Sequence, residues 1–187
     1  MRLRIHGITH DSRVNGPGRR VVLHLQGCTL GCPGCFNPMT HPHAGGELVP
    51  VDELAARLLQ SNPEGLTISG GEPFQQPEGV AALISRVRER VDSVLIFTGY
   101  SREELSEMGA VLSGVDVLVA GRYDATAPVG EGLLSSDNQR LHLLTGRHFP
   151  DEVELEMGQV EIHIHPDGRV SMTGFPTPAL RRMVRKL

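Results

Sequence analysis

Tryptophan is absent from this 187-residue chain, and aromatic residues make up only 4% of it. Its core must therefore rest on Val, Leu, Ile and Met. There is no excess of positive charge either. The net charge is −4, so no overall basic field draws the protein to nucleic acid. No apolar run approaches the roughly 20 residues that span a bilayer, and the start, Met1-Arg2-Leu3-Arg4-Ile5-His6, lacks the long apolar stretch of a signal peptide. The expectation is a cytoplasmic protein that uses neither a membrane nor nucleic acid. Cysteine is equally scarce, with three residues in all. An odd count excludes complete pairing into disulfides, and in a reducing compartment free thiolates read as metal ligands rather than bridges. With 39% hydrophobic and 21% charged residues, the composition is globular, and a chain of this length buries roughly 70% of its unfolded surface without a covalent staple.

The three cysteines, Cys28, Cys32 and Cys35, stand together in the run from Gln26 to Asn37 with spacing C-x3-C-x2-C. Three thiolates in one short loop suit a cubane iron–sulfur cluster with one iron left free of protein, whereas a cluster that only carries electrons takes four cysteines. Gly31 and Gly34 let the loop fold around a bulky group. A structural zinc site is the alternative, with His24, His41 or His43 as fourth ligand. Such sites usually draw their ligands as two pairs from separated segments. An electron carrier remains a further alternative.

Along the chain, residues 2–8 alternate as a half-buried strand, and Asn15-Gly16-Pro17-Gly18 is a turn. Residues 21–25 read as a buried strand feeding into the cysteine loop, and 37–47 as a polar connection. Helices are expected over 52–60 and 77–90, and a third behind Ser101, with Glu104 completing a capping box. Strands are expected at 66–68, 94–97 and 115–119. Alternating strands and helices call for a parallel sheet with right-handed crossovers, in which chemistry gathers at the carboxyl ends of the strands. The cysteine loop, Ser69-Gly70-Gly71-Glu72-Pro73, Thr98-Gly99 and Gly121-Arg122 all follow such strands. Two glycines after a strand let a ligand approach the backbone, and a carboxylate beside them can hold an ammonium group. Residues 123–138 read as a long mobile loop. The tail offers strands at 153–156, 161–165 and 170–173 around an Asp167-Gly168 turn, then a short basic helix over 177–186. His163 and His165 share a strand face and read as an exposed polar face rather than a metal site.

Together, the cysteine spacing and the Gly-Gly-Glu turn resemble the radical S-adenosylmethionine (SAM) superfamily. Asp11-Ser12, Asn15 through Val22 and Gln26-Gly27-Cys28 resemble the opening of glycyl-radical-enzyme activases. Cys32-Pro33-Gly34-Cys35-Phe36-Asn37-Pro38 is closest to the anaerobic ribonucleotide reductase activating proteins, as are Phe97 to Tyr100, Asp116 to Tyr123 and Asn138-Gln139-Arg140. The resemblance covers roughly residues 3 to 145. It implies a partial, open α/β barrel as a radical SAM core over 1–145, with residues 146–187 as a C-terminal extension of hairpin and helix. It implies a 4Fe–4S cluster on Cys28, Cys32 and Cys35 whose free iron chelates SAM. Electron transfer from the reduced cluster would then cleave SAM to methionine and a 5′-deoxyadenosyl radical, which abstracts hydrogen from a substrate. Gly70, Gly71 and Glu72 would hold the methionyl ammonium, with Ser69 and Pro73 shaping the turn. Phe36 would lie near the adenine, Thr98 near the ribose or carboxylate, and Arg122 near the SAM carboxylate; a surface salt bridge is the alternative for Arg122. The implied partners are a flavodoxin- or ferredoxin-type electron donor and a glycyl radical enzyme, with a small molecule or peptide as the alternative substrate. Two departures stand out. Asn15 replaces the Asp usual in activases, and the extension exceeds their minimal core.

Overall fold

Buried runs separated by amphipathic stretches fold here as a mixed α/β structure around one large sheet. The structure is a computed structural model that describes residues 1–129, 132–148, 159–164 and 170–177, with isolated positions 151, 168, 180 and 183. The described strands and helices are β1 (Arg2–Ser12), β2 (Arg20–Leu25), β3 (Glu47–Pro50), α1 (Val51–Leu59), β4 (Gly65–Gly70), α2 (Pro77–Val87), β5 (Ser93–Thr98), α3 (Gly109–Leu112), β6 (Val117–Ala120), β7 (Arg140–Leu143), β8 (Val160–Ile164) and β9 (Val170–Gly174). Seven strands form one sheet in the order β3-β1-β2-β4-β5-β6-β7, while β8 and β9 pair separately. The centre, β2-β4-β5-β6, is parallel, and β1, β3 and β7 add antiparallel strands outside it. β8 and β9 form a small antiparallel hairpin.

The period-2 alternation of each central strand sends its residues to opposite faces. Leu23, Leu25, Leu66, Ile68, Val94, Ile96 and Leu118 pack against Leu54 and Leu58 of α1 and Val80, Leu83, Ile84 and Val87 of α2. Both helices bury one apolar stripe, and Asp52 and Glu53 sit at the positive end of α1. On the other face Leu95, Val117 and Val119 pack with Leu133, against Phe97, Leu141, Leu143 and Phe175.

That second face also carries a polar layer at the amino ends of the strands. Arg20 is fully buried and meets no carboxylate there. Its guanidinium donates to Thr67 Oγ1 (2.7 Å), Pro17 O (2.8 Å), Ser93 Oγ (3.0 Å), Leu66 O (2.7 Å) and Ser93 O (3.3 Å). It thereby bolts β2, β4 and β5 together. Burial lowers its pKa to about 10, against the opposing pull of Asp116 and Glu64. Asp116, also buried, is the opposite case, taking Arg88 (2.6 Å), Val94 N (2.8 Å) and Thr145 Oγ1 (2.7 Å).

Two expectations change, and β3 and β7 are added to the strands expected. The polar connection expected from residue 37 holds up to Gly46, with one 3-10 turn at Pro38–Thr40, and Glu47–Pro50 then pairs as β3 with β1. The Ser101–Glu104 box closes, with Ser101 N to Glu104 Oε2 at 2.7 Å and Glu104 N to Ser101 Oγ at 3.3 Å, but it caps only turns. Regular helix is confined to α3, since Glu104 is also held by Arg122 and Leu105 is buried. Residues 123–138 are not an untethered loop. Asp124 N reaches Ser136 Oγ at 3.1 Å, Asp137 N reaches Ala127 O at 2.9 Å, and Leu133 and Ser136 are buried. Strand β7, which ends the sheet beyond β6, follows this segment. The strand expected at 153–156, His165, and nearly all of the helix expected over 177–186 lie outside the described residues.

Candidate active site

The carboxyl ends of β2, β4 and β5 open onto a single cavity of about 360 Å³. Its rim is built first by β2. Gln26 is buried and ties down the returning chain, its Nε2 donating to Met39 O (3.1 Å) and Pro42 O (2.6 Å). Gly27 adopts φ +104°, and its N–H meets Thr40 O at 2.7 Å, while Cys28 N meets His41 O at 3.0 Å. A Cβ on Gly27 would sit 2.8 Å from His43 Nδ1, so glycine is required there. The loop then turns through Gly31 and Gly34, both left-handed, and Cys35 N closes on Cys32 O at 3.2 Å. Cys28, Cys32 and Cys35 are half-buried, carry no disulfide, and all line the cavity. Burial pushes the Cys28 thiol up, opposed by backbone hydrogen bonds from Leu30 and Gly31.

The turn after β4 packs directly on this loop. Gly71 N donates to Leu25 O at 2.8 Å and Glu72 N to Gly27 O at 2.9 Å. A side chain on Gly71 would collide with Gly27 O, and one on Gly70, at φ +99°, would lie 2.5 Å from Leu25 N. The two glycines therefore admit the neighbouring backbone of Leu25–Gly27, not only a ligand. Ser69, opposite His24 in the sheet register, lines the cavity with both of them. Pro73 is buried at the start of a single 3-10 turn.

Glu72 departs most from expectation. Its side chain is 1% exposed, and both oxygens are engaged by protein: Oε1 by Phe74 N (3.0 Å) and Thr98 Oγ1 (2.8 Å), Oε2 by Gly99 N (2.9 Å). Burial raises its pKa against those three bonds. The carboxylate thus locks the end of β4 to the end of β5. Thr98 spends its hydroxyl proton on Glu72 and accepts from Tyr100 N at 3.1 Å. Arg122 makes a two-pronged pair with Glu104 (2.8 and 2.9 Å), lies 5.7 Å from the Tyr100 ring centroid, and is not among the residues lining the cavity. Phe36 does line it, its ring tilted 39° against that of Tyr123 with centroids 4.9 Å apart.

His24 and His41 line the cavity, and burial, with His6 nearby, lowers the His24 pKa to about 4. Among the described residues no three His, Cys, Asp or Glu side chains converge closely enough to hold one metal ion. A tetrahedral zinc site needs such convergence, with each sulfur about 2.3 Å from one centre. The three thiols line one cavity, and in a polynuclear cluster each sulfur takes a different iron.

Several cavity residues carried no signal in the sequence. Phe97 belongs to a strand and to a segment that carries the resemblance, but neither marks it as a cavity residue. Met172, Thr173 and Phe175 come from the C-terminal hairpin, and the sequence offers no cue that it returns to the cysteine loop. Asn15 stands in the sequence as a turn residue and as a departure from the activase pattern, and its buried amide donates to Ser12 Oγ and Thr173 Oγ1, both at 2.8 Å.

A family model described as "4Fe-4S single cluster domain" matches residues 14–142. The chain is 39% identical over 135 residues to the anaerobic ribonucleoside-triphosphate reductase-activating protein of Enterobacteria phage T4, a match covering 68% of this chain and 86% of that protein. It is 33% identical over 143 residues to the protein of the same description from Vibrio cholerae, covering 71% and 92%. It is 36% identical over 112 residues to the pyruvate formate-lyase-activating enzyme of Clostridium pasteurianum, covering 56% of this chain and 47% of that enzyme.

Proposed function

The chain belongs to the 4Fe-4S single cluster domain family, within the anaerobic ribonucleoside-triphosphate reductase-activating proteins, and on that premise we propose that it generates a glycyl radical on an anaerobic ribonucleotide reductase-like partner. It is a radical SAM enzyme whose cofactors are a 4Fe–4S cluster and SAM. Bound and reduced, these supply methionine and a 5′-deoxyadenosyl radical that takes a hydrogen atom from the partner.

The residues divide the remaining work. Cys28, Cys32 and Cys35 would hold the cluster, and with only three thiolates supplied one coordination position would be open to SAM. The backbone of Ser69–Gly71 receives the methionyl ammonium, and Glu72 positions that backbone through Thr98, Phe74 and Gly99. The Phe36 ring, braced at a tilt by Tyr123, offers an apolar face to the adenine. Arg122 reaches the SAM carboxylate only by releasing Glu104, and otherwise braces the rim. We read the sheet as a partial barrel whose inner face is the one that the helices leave uncovered. A flavodoxin- or ferredoxin-type donor in the cytoplasm supplies the electron. No described helix is long and apolar enough to cross a membrane.

One observation carries this reading: the chain's three cysteines line one cavity, and the Gly70–Glu72 turn is bonded directly to the residue before the first of them. The test is anaerobic reconstitution, reduction with dithionite and addition of SAM. We expect 5′-deoxyadenosine, and a glycyl radical signal by electron paramagnetic resonance on mixing with an anaerobic ribonucleotide reductase. Absence of 5′-deoxyadenosine refutes the chemistry; 5′-deoxyadenosine without the protein radical refutes the partner.

A further inference from the structure

The β8–β9 hairpin lies beyond the family match, which ends at residue 142, yet Met172, Thr173, Gly174, Phe175 and Pro176 line the same cavity as the three cysteines. Three contacts hold it there. Asn15 Nδ2 donates to Thr173 Oγ1 at 2.8 Å, in a site where Asn15 and Thr173 are both buried. Arg13 N donates to Glu161 Oε1 at 2.8 Å. The Phe175 ring lies 5.8 Å from that of Phe97, the penultimate residue of β5. The seating is tight, since a Cβ on Gly174 would sit 2.5 Å from Gln159 O and 2.8 Å from Val14 Cγ2. The hairpin thus covers part of the sheet face opposite the helices.

The chemistry of this wall is uniform. The hairpin residues and their neighbours Phe97, Ser135 and Gln139 bring no formal charge to the cavity, and among the described residues no Lys or Arg lines it. Glu72, the one carboxylate among the described lining residues, is engaged by Phe74, Thr98 and Gly99. Asn15 keeps the latch neutral where an aspartate would place a charge. A charged donor entering here would lose its water and find no charged side chain on this wall among the described residues, whereas a neutral peptide backbone gives up far less.

We propose that the C-terminal hairpin is the substrate-side wall of the site, that Met172 and Phe175 select an uncharged peptide segment as hydrogen donor, and that the Asn15–Thr173 hydrogen bond positions them. This rests on the activase reading and deepens it. The test uses the reconstituted full-length protein, dithionite, SAM and two short synthetic peptides with blocked termini. Each contains one α-dideuterated glycine; one is otherwise neutral and its twin carries Asp beside the glycine. Transfer breaks one glycine C–D bond and forms one at the 5′ carbon of 5′-deoxyadenosine. It leaves the unpaired electron on the peptide, and dithionite supplies the electron that cleaves SAM.

The readout is the ratio of deuterium delivered by the two peptides, which is internal to each protein and independent of its overall rate. We expect the native ratio to favour the neutral peptide about tenfold or more, the effect of leaving roughly 1.4 kcal/mol of charge uncompensated. Phe175→Ala and Thr173→Val should bring it to within about twofold, and Thr173→Ser, which keeps the hydroxyl, should restore it. A native ratio near one, or a ratio that these variants leave unchanged, overturns the proposal. Phe175→Trp adds a second readout, because the chain has no other tryptophan. The neutral peptide should shift its emission and the Asp twin should not; equal responses overturn the wall even if nothing turns over. Failure to form any 5′-deoxyadenosine counts against the activase reading alone, and the tryptophan signal still decides the role of the hairpin.

Discussion

Glu72 offers the sharpest test, because a brace and a ligand respond differently to one atom's change. Glu72→Gln preserves the shape of the side chain and removes the charge. In the native protein Phe74 N and Gly99 N donate to different carboxylate oxygens. Glutamine has one carbonyl oxygen, so one of these buried N–H groups must face an NH2. Thr98 can rotate its hydroxyl to suit either arrangement. The substitution therefore loses one charge-assisted bond and leaves a donor facing a donor, a cost of about 2–4 kcal/mol. With a urea slope of roughly 2 kcal/mol/M for a chain of this size, the unfolding midpoint should fall by about 1–2 M. The assay is urea denaturation of the metal-free, full-length protein followed by circular dichroism, so no cofactor enters the comparison. A brace predicts this loss before any SAM is added, and weaker SAM binding after reconstitution as a consequence. A pure ligand predicts an unchanged midpoint and weaker SAM binding alone. An unchanged midpoint in the metal-free variant therefore refutes the bracing role. The pH dependence has a definite sign. Burial holds the folded Glu72 pKa above 4.5, so its ionisation costs stability as pH rises from 4.5 through the folded value, and the Gln variant should lack that decline.

Arg20→Met should cost about 3–5 kcal/mol in the same urea experiment, since five hydrogen bonds to buried acceptors are lost; Arg20→Lys should not recover it, because three donors cannot replace a five-donor fork. His24 has a folded pKa of about 4, below its usual 6.5, so the unfolded chain binds more protons between those values. Stability of the metal-free protein should fall by up to about 3 kcal/mol as pH drops from 6.5 towards 4, a decline that His24→Gln should abolish. Cys28→Ala, Cys32→Ala and Cys35→Ala should each cost the protein its iron and its SAM cleavage together, read by iron analysis and 5′-deoxyadenosine yield. A variant that keeps full iron content removes that residue from the ligand set. Air should strip iron from the native protein, because one iron has no protein thiolate; full retention after prolonged exposure would contradict a three-cysteine cluster.

What was legible in the sequence was local. The period of Val80, Leu83, Ile84 and Val87 specifies an amphipathic helix, and the run Val21 to Leu25 a buried strand, whatever surrounds them. Alternation of such elements implies a parallel centre, and that alone brings the ends of β2, β4 and β5 to one rim. The cysteine spacing and the Gly-Gly-Glu turn were legible for the same reason: each is a short constellation whose chemistry depends on near neighbours.

The tertiary structure decided what each polar group is for. Glu72 looked like a ligand because its sequence neighbours are glycines, but its partners Thr98 and Gly99 lie 26 and 27 residues away. Arg20 carries no local cue to its role, which comes from Thr67 and Ser93 closing around it from two other strands. Arg122 found Glu104, and Asn15 found Thr173 across 158 residues. Such pairings cannot be read from local pattern, because a buried donor is satisfied by whichever acceptor the folded backbone brings within about 3 Å. Sequence alone determined that three thiolates and a glycine turn would share one rim; only the packing of distant strands decided which side chains brace that rim, and that a hairpin from the far end of the chain forms one of its walls.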